Sequence, residues 1–185
     1  EYPHAGVGVL LNDLIVFDID SLDDKQSLLI RDIIIRELGD TIERIGKFPK
    51  RALFYRRSGD EFRKKSTKIF NLEKGKAQLE VLASGTQCII FGTHPETKQS
   101  YQWIDESPLE VHSEDLPCVT LKQVKNIITQ SETLLQNHVV QKEVIISTIK
   151  TSINEHKREE GIKDIPLVRS ALSYIDPEDY NTWVN

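Results

Sequence analysis

Leu14-Ile15-Val16-Phe17-Asp18-Ile19-Asp20 is short, bulky and rich in β-branched residues. That composition predicts a strand buried on both faces. Side chains alternate along a strand, so Asp18 and Asp20 leave the same face. Two carboxylates that close repel each other, and burial raises the cost. A divalent cation relieves both problems, because carboxylate oxygens are natural ligands of magnesium or manganese. The plainer alternative has one aspartate capping the next helix and the other facing water.

Just downstream, Ser21, Asp23 and Asp24 supply helix-start chemistry. Leu28, Leu29, Ile33, Ile34 and Ile35 then predict a helix over 26–38, with Gly39 placed to end it. Pro49 breaks the chain. Ala52 to Tyr55 reads as a short strand, followed by a turn at Ser58-Gly59-Asp60. Ala77 to Leu82 and Gln87 to Phe91 read as two more strands. Their spacing across Ser84-Gly85-Thr86 predicts that they pair as an antiparallel hairpin. Tyr101 and Trp103 alternate in a further strand, as core residues or as surfaces for stacking on bases.

Glu80 stands among apolar neighbours in Gln78-Leu-Glu-Val-Leu82. A lone strand glutamate usually faces water. Brought beside Asp18 and Asp20, it would complete a two-metal site. In such a site one ion activates an attacking hydroxyl and the other steadies a leaving oxygen.

After Pro117 the pattern turns helical. Thr120 and Gln123 form a capping box ahead of Val124, Ile127, Ile128, Leu134 and Leu135. The helical spacing continues through Val139 to Ile153. Three parts are therefore expected: a catalytic domain over 1–117, a helical connector over 118–163 and the beginning of another helical domain over 164–185.

The chain is 38% hydrophobic, enough for an ordinary core. Its two cysteines, Cys88 and Cys118, suggest neither a disulfide framework nor a zinc site. No apolar run is long enough to span a membrane, and no signal peptide is seen, so a cytoplasmic setting is expected. Net charge is −5, but residues 44–76 hold 12 of the 24 Lys and Arg and only three of the 29 Asp and Glu. Such a block is either a solvated loop or a local field for phosphates. Lys50, Arg51, Arg56 and Arg57 flank the 52–55 strand and are the candidate phosphate ligands. His94 follows an apolar strand and precedes Pro95. There is no Walker A pattern.

Gly6-Val-Gly-Val with Leu14–Asp20 resembles the opening of bifunctional primase-polymerase domains of the archaeo-eukaryotic primase superfamily. Ile45 to Arg56 resembles the second block of phage and prophage members. Leu79 to Gln87, running into Phe91-Gly-Thr-His-Pro95 and Tyr101-Gln-Trp103, resembles the third. Val168 to Val184 looks like the start of a primase C-terminal helical domain. The resemblance implies an α+β fold with an RRM-like catalytic sheet, whose first strand would precede this chain, and a helical extension running past Asn185. It implies Asp18, Asp20 and Glu80 as catalytic, metal-binding residues for magnesium or manganese. It implies DNA primase or polymerase activity on a single-stranded DNA template with NTPs or dNTPs, in replication of a phage or mobile element, with a fused or associated replicative helicase. The family's second block usually carries a nucleotide-contacting histidine; here it reads Pro49-Lys-Arg-Ala52. Lys50, Arg51, Arg56, Arg57 and His94 are left as the nucleotide or phosphate ligands. Two rivals remain: a non-catalytic replication-initiation module that binds DNA, and a haloacid-dehalogenase-like phosphohydrolase suggested by Phe17-Asp-Ile-Asp-Ser-Leu22.

Overall fold

The computed structural model describes residues 6–156. The resemblance at 168–184 and the domain expected over 164–185 lie outside the described residues. The fold is mixed α+β, built on antiparallel pairings and followed by a long helix. In chain order the elements are β1 (Val7–Leu11), β2 (Leu14–Ser21), α1 (Asp24–Leu38), β3 (Glu43–Ile45), β4 (Arg51–Arg57), β5 (Lys65–Ser66), β6 (Phe70–Leu72), β7 (Gly75–Leu82), β8 (Thr86–Phe91), β9 (Gln102–Ile104), β10 (Cys118–Val119) and α2 (Leu121–His156).

The main sheet runs β5-β7-β2-β4-β3-β9, with β6 added to β7 and β10 to β4. β2 is central, antiparallel to β4 on one side and to β7 on the other. Its odd-numbered side chains Ile15, Phe17 and Ile19 are fully buried with Leu53, Tyr55, Leu79 and Val81. Ile30 and Ile34 of α1 and Val124, Ile127 and Leu135 of α2 complete that cluster. The even-numbered side chains face the other way. Val16 joins Ala52, Phe54, Leu11, Cys88 and Leu116 in a second, smaller cluster. That second layer stops short of the end of β2: Asp18 is partly accessible and Asp20 is exposed. The strand is thus buried on both faces only over its first half.

Local signals set the helix ends. Asp23 caps α1 by accepting from the N–H of Gln26 at 3.1 Å. The Gly39 N–H closes it on the Ile35 carbonyl at 2.8 Å. The capping box at α2 forms: the Gln123 N–H donates to Thr120 Oγ1 at 3.3 Å, and Gln123 Oε1 accepts from the Thr120 N–H at 3.0 Å.

One expected pairing does not form. β8 pairs with β1 in a separate two-stranded sheet, not with β7. Both edges of β7 are already taken, by β2 on one side and by β5 and β6 on the other. The turn at residues 83–86, held by the Thr86 N–H and hydroxyl on the Ala83 carbonyl, therefore carries the chain out of the main sheet.

Contacts divide the chain after Val139. The first part of the expected connector, up to Val139, belongs to the first unit and packs against the main core. The helix continues to His156, with Val144, Ile145 and Ile146 exposed along that stretch. No helix among the described residues is long and apolar enough to cross a membrane.

Candidate functional site

Register settles which side chains share the open end of the sheet. Asp18 lies directly opposite Glu80, and Asp20 opposite Gln78. Directly opposed residues project to one face, with Cα atoms about 4.5–5.5 Å apart. Asp20 and Glu80 are diagonal neighbours at about 7–8 Å. Asp18, Asp20 and Glu80 therefore share the face left uncovered beyond Val16. On the other side, Asp18 faces Ala52, and Ala52 faces Arg44. Arg44 in turn faces Trp103. A single cross-strand row thus runs Glu80, Asp18, Ala52, Arg44, Trp103.

Burial is the main force raising the Asp18 carboxyl, which is pushed up from 3.8 to about 6. The nearby negative charges of Asp20 and Glu80 add to the rise. Arg44 and Lys50 pull the other way. Asp20 pairs with Lys50 Nζ at 2.6 Å, and Glu80 with Lys64 Nζ at 2.7 Å. Three oxygen-donor side chains on one face, one of them burdened by its neighbours' charge, are the donor set a hard divalent cation takes. Among the described residues, however, no three His, Cys, Asp or Glu side chains converge closely enough to hold a metal. The backbone register fits a cation; the Asp20 and Glu80 carboxylates are turned onto lysines.

The basic candidates separate by strand parity. Lys50 sits on the carboxylate face. Arg51, one residue on, is opposite Ile19 and projects to the helix side. There it pairs with Glu43 at 2.5 Å and lies 3.8 Å from Asp24. Arg31 of α1 takes the other Glu43 oxygen at 2.6 Å. This is a structural knot that ties β3 and β4 to α1. Glu43→Ala leaves two cations without their carboxylate, so it is expected to lower unfolding stability by about 3 kcal/mol, read by urea titration.

Arg56 and Arg57 lie at the far end of β4. Arg56 is opposite Leu14 and reaches the Cys118 thiol at 3.3 Å. Arg57 pairs with Asp13 at 2.6 Å and donates to the Gly59 carbonyl at 2.6 Å. Neither joins the carboxylates.

His94 comes into the neighbourhood from the loop before β9. Its Nδ1 accepts from the N–H groups of Glu96 and Thr97 at 3.2 and 3.3 Å. The ring stands edge-on to Tyr101, with centroids 5.5 Å apart. Tyr101 carries the Arg44 guanidinium on its face, 4.4 Å from the ring centroid. Gly46 makes this nesting possible. A side chain there would collide with the Tyr101 ring, and its Cβ would lie 2.9 Å from His94 Cδ2. Trp103 is a packing residue: its Nε1–H donates to the Ile90 carbonyl at 3.1 Å, and its ring packs on Phe54 and Phe91.

Arg44 and Lys64 belong to this site, and sequence reasoning had counted them only within the basic block. No family model matches the chain, and neither a curated protein nor a solved structure matches it.

Proposed function

We propose that this face is the nucleotidyl-transfer centre of a primase-polymerase with an RRM-like catalytic sheet, acting on a single-stranded DNA template with nucleoside triphosphates. The observation that carries the reading is the direct register of Glu80 with Asp18, with Asp20 on the same face. Three carboxylate residues from two adjacent strands share one face where the second layer ends. Magnesium or manganese held by Asp18, Asp20 and Glu80 would supply Lewis-acid activation of the attacking hydroxyl and neutralise charge at the phosphate.

The chain's own residues do the rest. The burial of Asp18 limits water around its carboxyl and strengthens local fields. Lys50 and Lys64 hold Asp20 and Glu80, and would be free to turn toward phosphate oxygens if a cation took those carboxylates. Lys76 is exposed and shares strand parity with Gln78 and Glu80, which puts a further cation on the same face for a strand backbone.

The test is incubation with single-stranded template, labelled nucleotides and manganese. Extended or primed product is expected, and its absence under all metal conditions would remove the catalytic reading. A non-catalytic DNA-binding module is the second reading, favoured by the lysine-paired carboxylates. Both readings expect salt-sensitive binding. Three phosphate contacts, at Lys50, Lys64 and Lys76, would give a log–log slope of about −2 for single strands. A flat salt response in an oligothymidylate titration would return these lysines to ordinary surface charge.

A further inference from the structure

One cation beside the carboxylates has no close ion pair. Arg44 is only 9% exposed. Its Nε is buried without a hydrogen-bond partner, and among the described residues its guanidinium has no ion pair. The neighbouring cations are all engaged: Arg31 and Arg51 on Glu43, Lys47 on Glu96, Lys50 on Asp20 and Lys64 on Glu80. A buried guanidinium without a carboxylate is costly to keep. Here a tyrosine face supports it, Gly46 makes room for that tyrosine, and the row leads straight to Asp18 with only the Ala52 methyl between them. Two strand spacings, about 10 Å, separate Arg44 from Asp18. The Arg44 charge still pulls the Asp18 carboxyl down, but no close ion pair joins the two. A chain of linked phosphates reaches from one toward the other more readily than a single carboxylate does.

We propose that Arg44, backed by Tyr101, is the anchor for the triphosphate tail of a nucleotide on the β3–β9 side of the carboxylates, and that the nucleic-acid strand lies on the opposite, β7 side along Lys64 and Lys76. This rests on the nucleotidyl-transfer reading and adds a direction to it. The guanidinium fork suits phosphate oxygens and is pre-oriented by the ring. The exposed lysines suit a backbone read only by its charge. The arrangement also gives this chain a phosphate ligand in the absence of a histidine from the 49–52 segment.

The experiment is calorimetric titration of the full chain in chelator, with inorganic tripolyphosphate, ATP and oligothymidylate as separate probes. Arg44→Gln is expected to weaken tripolyphosphate and ATP roughly 30-fold and oligothymidylate less than about twofold. Arg44→Lys keeps the charge and stem, so it serves if the glutamine variant fails to fold; about tenfold weakening is expected because the fork is lost. Lys64→Ala with Lys76→Ala should give the mirror image, weaker oligothymidylate with tripolyphosphate unchanged. Absence of tripolyphosphate binding to the unaltered chain overturns the proposal. So does unchanged tripolyphosphate affinity in a folded Arg44 variant, or an equal loss of both probes. Because no turnover is measured, Arg44-dependent binding without nucleotide incorporation would keep this inference and sink the catalytic one. Incorporation without Arg44-dependent binding would do the reverse.

Discussion

Replacing Asp18 with asparagine is expected to abolish nucleotidyl transfer and to stabilise the protein at neutral pH. The two effects come from the same feature. Asp18 is largely buried and lies beside two further carboxylates, so its carboxyl is pushed up to about 6. A metal-assisted phosphoryl step draws several kcal/mol from such ligands; losing about 4 kcal/mol slows it roughly 10³-fold. The stability effect follows from linkage. The folded chain binds the Asp18 proton more tightly than the unfolded chain does. Its stabilising contribution is therefore complete below pH 3.8 and is lost as pH rises through about 6. At pH 7 the ionised carboxylate costs on the order of 2–3 kcal/mol. Asparagine has no charge to bury, so its melting temperature at pH 7 should rise by several degrees. The melting curves of variant and parent should converge near pH 4. Calorimetric scans at pH 4, 5.5 and 7 read the second effect, and a primer-extension assay reads the first. Unimpaired extension would remove Asp18 from the chemistry. An equal stability difference at every pH would mean that the effect is not the ionisation of Asp18.

The central strand and its carboxylate face were legible because 14–20 is an unbroken bulky run whose only polar residues, Asp18 and Asp20, are two apart. Glu80 was legible in company, since its own strand has the same character. Arg44 was not. β3 spans only Glu43–Ile45, too short for a period, and its two charged residues are buried. Residue type alone assigns them to the surface. The grouping of Lys50 with Arg51 shows a different limit. Their opposite fates follow from parity once Ala52 is known to face Asp18, but that register is set by a distant strand. The β7–β8 hairpin failed for a related reason. Local spacing permits it, and only the occupancy of both β7 edges by residues far along the chain forbids it. The helical pattern after Pro117 was equally clear, yet nothing in it says whether the apolar stripe is a spacer's or the core's.

A chain ending at Pro117 is expected not to fold, although the sequence alone would place a domain boundary there. Such a chain loses β10, which pairs with β4 at Cys118 and Val119. It also loses the Val119 carbonyl that accepts the Ser58 N–H at 2.8 Å. Above all it loses Val119, Val124, Ile127 and Leu135, each 0% exposed in the cluster that backs β2 and α1. Burying one such side chain contributes about 1.5–3 kcal/mol. Four of them represent roughly 6–12 kcal/mol by that scale, against a typical total stability of about 5–15 kcal/mol. The cluster they share with Ile15, Phe17 and Ile30 would lose those four members. A chain ending at His156 keeps all these contacts and should melt cooperatively by circular dichroism. The shorter one should show no cooperative transition and should bind a hydrophobic dye. This changes what a truncation can reveal about the helical extension. Loss of both primer synthesis and extension in residues 1–117 would report a missing core, whereas a cut beyond Val139 leaves the core intact and tests the later residues alone. A cooperative melt from the Pro117 chain, close to that of the longer one, would mean that the first turns of α2 cover the sheet without holding it together.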